Sequence, residues 1–178
     1  MSTVLRGCLG GVLALSVSTT VLAQDSKSAP LARDLAAALD AAKLDSIAAK
    51  DSSKSGVYIS ALYFPGAQLL VVTAEYAVPQ YLDEKLAKKD YREIYLDLNS
   101  ASVPESKAFF EDLGADGLKV KRDENRPFDT YEAGGRRVMF DSDWRRQKLT
   151  EDEYTKAFSA ADEQYSRLLS ALLAQAKK

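Results

Sequence analysis

The fold is decided by residues 57–73, which read VYISALYFPGAQLLVVT. Residues 57–64 are β-branched, aromatic or apolar at nearly every position, and residues 67–73 repeat this composition after Pro65-Gly66. Two such runs on either side of a Pro-Gly pair predict a β-hairpin, with Pro65-Gly66 at the centre of a type II turn. Because apolar residues occupy nearly every position of the two runs, and not every second position, we expect both faces of this hairpin to be covered.

The region before the hairpin predicts one helix. Leu31, Leu35 and Leu39 recur at helical spacing in an Ala-rich stretch, so a helix is expected over residues 31–43, after a polar leader at 24–30. Residues 44–50 fit either an extension of this helix or a short first strand. Residues 51–56 read as a loop because they combine Asp, Ser and Gly.

The region after the hairpin alternates between helix and strand patterns. Pro79 predicts the start of a second helix, and the alternation over residues 92–98 predicts a half-buried strand. A further strand is expected over residues 106–113. Two more runs, residues 128–132 and 136–140, flank Gly134-Gly135 and predict a second hairpin.

A long amphipathic helix is expected at the C-terminal end. Thr150 and Glu153 form a capping-box pattern at its start. An apolar stripe follows and must be buried. We expect the stripe to pack on the domain's own sheet, with pairing to a second copy as the alternative. The stripe comprises Tyr154, Phe158, Ala161, Tyr165, Leu168, Leu169 and Leu172.

The first 23 residues have the pattern of a secretory signal peptide. Arg6 supplies a positive charge, residues 9–21 are a short apolar run, and Val21-Leu22-Ala23 fits a cleavage site before Gln24. The expected product is periplasmic or secreted, with no stable membrane insertion after cleavage. Residues 31–178 are expected to form a single α+β domain.

The composition excludes several chemistries. The chain has no histidine, and Cys8, its one cysteine, lies in the predicted signal peptide. Nucleophilic triads and Cys or His metal sites are therefore excluded from the mature protein, for which we expect no catalytic residue and no metal site. A formal net charge of −2 gives no electrostatic basis for binding nucleic acid.

Three local patterns are candidate sites. Arg137 and Arg145 could bind an anionic ligand, although a solvated face of mixed charges is favoured for them. Tyr95 could line a ligand pocket or an interface, although ordinary packing is favoured for it. Residues 112–123 partly match a calcium loop, but Gly114 lacks a side-chain ligand, so a turn is favoured. Residues 141–144, which read DSDW, are also interpreted as a turn.

The order of elements in residues 57–98 resembles the FMN-binding split-barrel superfamily: strand, turn, strand, helix, strand. This resemblance implies a small antiparallel split β-barrel in which Thr73 and Lys85 would hold the flavin phosphate. Glu75 departs from that pattern because its charge would repel phosphate. The whole chain is also similar to small exported bacterial proteins that have no assigned activity.

The sequence thus predicts an α+β domain with an antiparallel sheet, a helix at each end and a third helix after the first hairpin. The function expected from it is a non-catalytic exported domain, without cofactor, that binds a small ligand or a protein as a monomer or homodimer. One alternative is a flavin-binding split barrel with FMN, in which the flavin could support an oxidoreductase activity. A structural role in envelope assembly is another.

Overall fold

The structure, a computed structural model, describes residues 26–75, 108–121 and 127–178. The predicted helix from Pro79 and the predicted strand over residues 92–98 lie outside these ranges. Within them the chain forms two helices and six strands. In chain order these are α1 (Ser28–Ala42), β1 (Ser46–Lys50), β2 (Tyr58–Phe64), β3 (Leu69–Glu75), β4 (Ala108–Leu113), β5 (Thr130–Ala133), β6 (Arg136–Met139) and α2 (Glu151–Ala176).

The six described strands form one antiparallel sheet in which each strand pairs with its neighbour in sequence. The predicted α+β class with an antiparallel sheet is therefore confirmed. No ladder joins the edge strands β1 and β6 among the described residues, so the sheet is open and the expected barrel is not seen. The two helices bury one face of this open sheet. A barrel buries its inner face by closing on itself instead.

The β2–β3 hairpin confirms the prediction for residues 57–73, but its turn differs in detail. The Ala67 N–H donates to the Phe64 carbonyl at 3.0 Å, and residues 65–68 form the loop. Positive φ belongs to Gln68, at 49°, and not to Gly66. The expected type II turn is therefore wrong, since that turn requires positive φ at the glycine.

The ambiguous residues 44–50 form a strand. Helix α1 ends at Ala42, and Lys43 adopts a left-handed conformation with φ of 55°. β1 then pairs along β2 from Ser46 opposite Leu62 to Lys50 opposite Tyr58. The edge of the neighbouring β2 decides between helix and strand here, because the local sequence fits both.

Helix α1 begins three residues earlier than predicted, so residues 28–30 belong to the helix and not to the leader. No local side chain caps this end. Instead, the backbone N–H groups of Lys27 and Ser28 donate to the Asp162 carboxylate of α2 at 2.7 and 3.0 Å. A carboxylate at a helix N-terminus satisfies free N–H groups and complements the helix dipole.

Helix α2 begins with the predicted capping box, in which Thr150 Oγ1 accepts from the Glu153 N–H and the Glu153 carboxylate accepts from the Thr150 N–H. Its apolar stripe packs on the protein's own sheet, as predicted, and also on α1. Tyr165 lies over Phe110 of β4 with ring centroids 5.0 Å apart. Neither described helix has the length and apolar character needed to cross a bilayer.

Candidate functional site

The sheet has two chemically different faces, because side chains alternate along each strand. The inner face lies against the helices. Phe110 on this face contacts Tyr165, and the Tyr131 hydroxyl donates to the Gln164 side chain of α2 at 3.0 Å. The outer face carries the intervening residues. Near the β2–β3 turn, this face is partly accessible to solvent.

An apolar cluster occupies the outer face at that turn. Phe64, Leu69 and Leu113 lie opposite one another in a row across β2, β3 and β4. Phe64 is 46% exposed and the other two are half-buried. Leu62 and Val71 form the next row and are also half-buried. We call these five residues the outer apolar cluster.

Ion pairs border the outer apolar cluster. Arg137 of β6 lies 3.2 Å from the Glu132 carboxylate and 3.9 Å from that of Glu111, measured from its Nε and Nη2. The same guanidinium lies 5.5 Å from the ring centroid of Phe109. The positive charge of Arg137 is thus shared with two carboxylates, which makes this residue a poor lone anchor for an anion.

The other predicted ligand-binding residues have different surroundings. The exposed Arg145 stacks on Trp144, with its guanidinium carbon 4.6 Å from the ring centroid. Arg145 and Arg137 share no partner in the described residues. Tyr95 lies outside the described residues. The anion site therefore stays a prediction.

Of the two residues proposed to hold flavin, only Thr73 lies in the described part of the chain. Thr73 lies on the outer face of β3, is only 2% exposed, and its Oγ1 has no hydrogen-bond partner among the described residues. Glu75, two residues further along the same face, is buried as well. Lys85 lies outside the described residues. Flavin binding likewise stays a prediction.

Residues 141–142 form a bend and residues 144–148 a turn, so the segment predicted as a turn is non-repetitive but its turn lies further along the chain. Arg146 pairs with both acids, lying 3.6 Å from Asp141 and 3.1 Å from Asp143. Gln147 then closes part of the edge of β6: its Oε1 accepts from the Met139 N–H at 2.8 Å and its Nε2 donates to the Met139 carbonyl. A side-chain amide here replaces the neighbouring strand that an edge lacks.

A buried polar network lies at the opposite side of the sheet, where the turn after β4 meets both helices. Asp112 and Asp129 are both fully buried, and each carboxyl oxygen accepts a backbone N–H from this turn at 2.7–3.1 Å. The Tyr165 hydroxyl also donates to Asp112, at 3.2 Å. The four backbone donors are Leu113, Asp116, Gly117 and Lys119.

This network continues to the start of α1. Ser28 Oγ accepts from the Leu118 N–H at 3.0 Å and donates to Asp162 at 2.6 Å. The turn after β4, the N-terminus of α1 and the middle of α2 are therefore joined by consecutive hydrogen bonds. The calcium-loop pattern is better explained by this turn, since the Asp112 oxygens are occupied by backbone N–H groups, while Asp123 lies outside the described residues.

Burial changes the acidity of the network. Loss of hydration raises the pKa of Asp112 to about 6, and loss of hydration together with the smaller effect of the Asp112 charge raises the pKa of Asp129 to about 7. The backbone N–H groups oppose these shifts because they favour the ionised form. Burial also raises the pKa of Tyr165 well above its usual range, so its hydroxyl stays protonated and donates.

Sequence reasoning missed three residues of this network, Ser28, Asp129 and Asp162. Asp162 had a readable signal: it lies four residues after Phe158 and three before Tyr165, on the apolar stripe of α2. An acid at such a position requires buried partners. Asp129 had no comparable signal, because its N–H donors come from a turn that precedes it by 10–16 residues.

Comparisons with protein-family models, with curated proteins and with solved structures find no significant match to this chain.

Proposed function

We propose that the protein is an exported, non-catalytic binding domain that binds a protein partner through the outer apolar cluster. The observation that carries this proposal is the exposure of Phe64, at 46%, beside half-buried Leu69 and Leu113. An exposed aromatic side chain within an apolar row is the kind of anchor that fills a pocket on a partner. Export is inferred from the signal-peptide pattern of residues 1–23.

The charges around the cluster favour a protein over other partners. Glu111 and Glu132 lie on the same face, and both are already paired with Arg137. This border offers no unshared positive charge to a nucleic acid or an anionic lipid surface, both of which need several free cations. A protein partner needs only an apolar pocket and a polar rim, which this face complements.

The buried carboxyls support a binding role over catalysis. Asp112, Asp129 and Asp162 all accept backbone N–H groups, so they are engaged in holding the fold. A general acid or base must instead reach a substrate proton. The described residues provide an exposed surface suited to association, and these three buried acids hold the fold together.

The test is a photo-crosslinking residue placed at position 64 in the native host. We expect it to capture one defined protein, and the matched control at the exposed position 37 of α1 to capture none. With that protein purified, Phe64→Ser should weaken binding at least about tenfold, the loss expected for an anchor residue. Identical products from both positions, or unchanged binding by the variant, would contradict the proposal.

A flavin-binding split barrel is the second candidate, and one observation favours it. The buried Thr73 Oγ1 has no hydrogen-bond partner among the described residues, and a bound flavin could supply that partner. The nearby Glu75 opposes a phosphate there, and this is why the proposal above comes first. An absorption spectrum decides: stoichiometric flavin in protein purified from the host would replace the first proposal.

A further inference from the structure

We propose that Gln147 guards the free edge of β6 and keeps two copies of the chain from pairing strand to strand along it. β6 is an edge strand of the described sheet. The side-chain amide of Gln147 binds both backbone groups of one β6 residue: its Oε1 accepts from the Met139 N–H at 2.8 Å, and its Nε2 donates to the Met139 carbonyl. A residue of a neighbouring antiparallel strand would make the same two bonds.

The register of β6 shows which of its backbone groups face this edge. The Phe140 N–H donates to the Asp129 carbonyl, on the side of β5. Hydrogen-bonded positions alternate along an antiparallel ladder, so Val138 also faces β5, whereas Arg137 and Met139 face away from it. Arg137 is exposed, and its backbone has no partner on this outward side among the described residues. Such an edge is a template for another strand.

The registers in which a second copy could pair with this edge are of two kinds. In the first kind Met139 lies opposite an outward residue of the second copy, and the bonds between them need the Met139 N–H and carbonyl. Gln147 already holds both groups, so these registers are closed. In the second kind Arg137 lies opposite Arg137 of the second copy, and like charges directly opposite each other are destabilising. Gln147 therefore closes the registers that charge leaves open.

Asp141 holds the Gln147 amide in the orientation that this role requires. Gln147 Nε2 also donates to Asp141 Oδ1 at 2.9 Å, and the Asp141 side chain is 2% exposed. An ionised carboxylate only accepts hydrogen bonds, so it attracts the NH₂ end of the amide and leaves Oε1 to the Met139 N–H. The turn at residues 144–148 is closed by the Leu149 N–H, which donates to the Trp144 carbonyl at 3.0 Å. Both the side chain and the backbone of Gln147 are thus held in place.

The test compares the self-association of Gln147→Ala with that of the unaltered protein, both purified from the host, by sedimentation velocity over a concentration series. Loss of the amide frees the Met139 N–H and carbonyl, so the dissociation constant for pairing of two copies should fall at least about tenfold. Arg145→Ala is the matched control, because Arg145 is exposed on the same turn and stacks on Trp144. This control should associate like the unaltered protein.

Arg137→Pro, added to Gln147→Ala, separates edge pairing from non-specific aggregation. Proline removes the outward N–H of position 137 and blocks addition of a strand, while an edge position tolerates it because that N–H does not face β5. We expect the double variant to associate like the unaltered protein. The proposal is overturned if the double variant still associates like Gln147→Ala, or if Gln147→Ala associates no more than the unaltered protein.

Amide hydrogen exchange of the unaltered protein tests the guard without any substitution. The Met139 amide should be protected because Gln147 accepts its proton, whereas the outward Arg137 amide should exchange rapidly at every protein concentration. An unprotected Met139 amide would mean that Gln147 does not hold the edge. Protection of the Arg137 amide that grows with concentration would mean that two copies pair despite Gln147. Either result contradicts the proposal, whether or not the variants fold.

Discussion

At the scale of single residues, Gly117 illustrates how closely the turn after β4 approaches α1. A Cβ atom added at Gly117 would lie 2.3 Å from Ala29 Cα, and its φ of +93° disfavours any other residue. We expect Gly117→Ala to lower the free energy of unfolding by about 1–3 kcal/mol or more, since backbone must move to admit the methyl group. Urea denaturation measures this loss.

Gly66→Ala is the matched control for that substitution. No heavy atom lies within 4 Å of an added Cβ there, and φ is not positive. The change in the free energy of unfolding should stay within about 0.5 kcal/mol. If the two variants had equal stability, the close approach of the turn to α1 would be wrong.

At the scale of elements, α2 does most to bury the inner face of the sheet. Leu168 is 1% exposed and belongs to the core between α2, α1 and the sheet. Leu168→Ala should leave a cavity and lower the free energy of unfolding by about 2–5 kcal/mol. The melting temperature, measured by circular dichroism, should fall to the same extent at every protein concentration.

Ser170→Ala, at an exposed position of α2, controls for the effect of substitution in the helix itself. Its melting temperature should remain close to that of the parent. A loss of stability in Leu168→Ala that grew on dilution would instead indicate that α2 joins two copies of the chain, because only an interface makes stability depend on concentration.

At the scale of the whole molecule, the position of the α1 cap limits where the chain can be processed. The backbone N–H groups of Lys27 and Ser28 bind Asp162, so cleavage before Gln24 preserves the cap and cleavage beyond Lys27 would remove part of it. We expect protein recovered from the periplasm or medium to begin at Gln24. Its intact mass tests this, and a mass that includes residues 1–23 would contradict export by this signal.

The sequence by itself determined the elements that depend on neighbouring residues. The apolar runs around Pro65-Gly66 predict β2 and β3, the glycines at 134 and 135 predict the β5–β6 hairpin, and Thr150 with Glu153 predicts the start of α2. In the structure both hairpin glycines have positive φ, as a two-residue type I′ turn requires. Such signals are readable because the interacting groups lie within a few positions of each other.

Only the tertiary structure decided the features that depend on distant partners. Residues 46–50 form a strand because β2 lies beside them, and α1 begins at Ser28 because Asp162, 134 residues away, accepts its N–H. No local pattern indicates that Asp112 and Asp129 both bind N–H groups of the turn after β4. Burial and long-range hydrogen bonds set these outcomes, and a single sequence does not record which distant residues will meet.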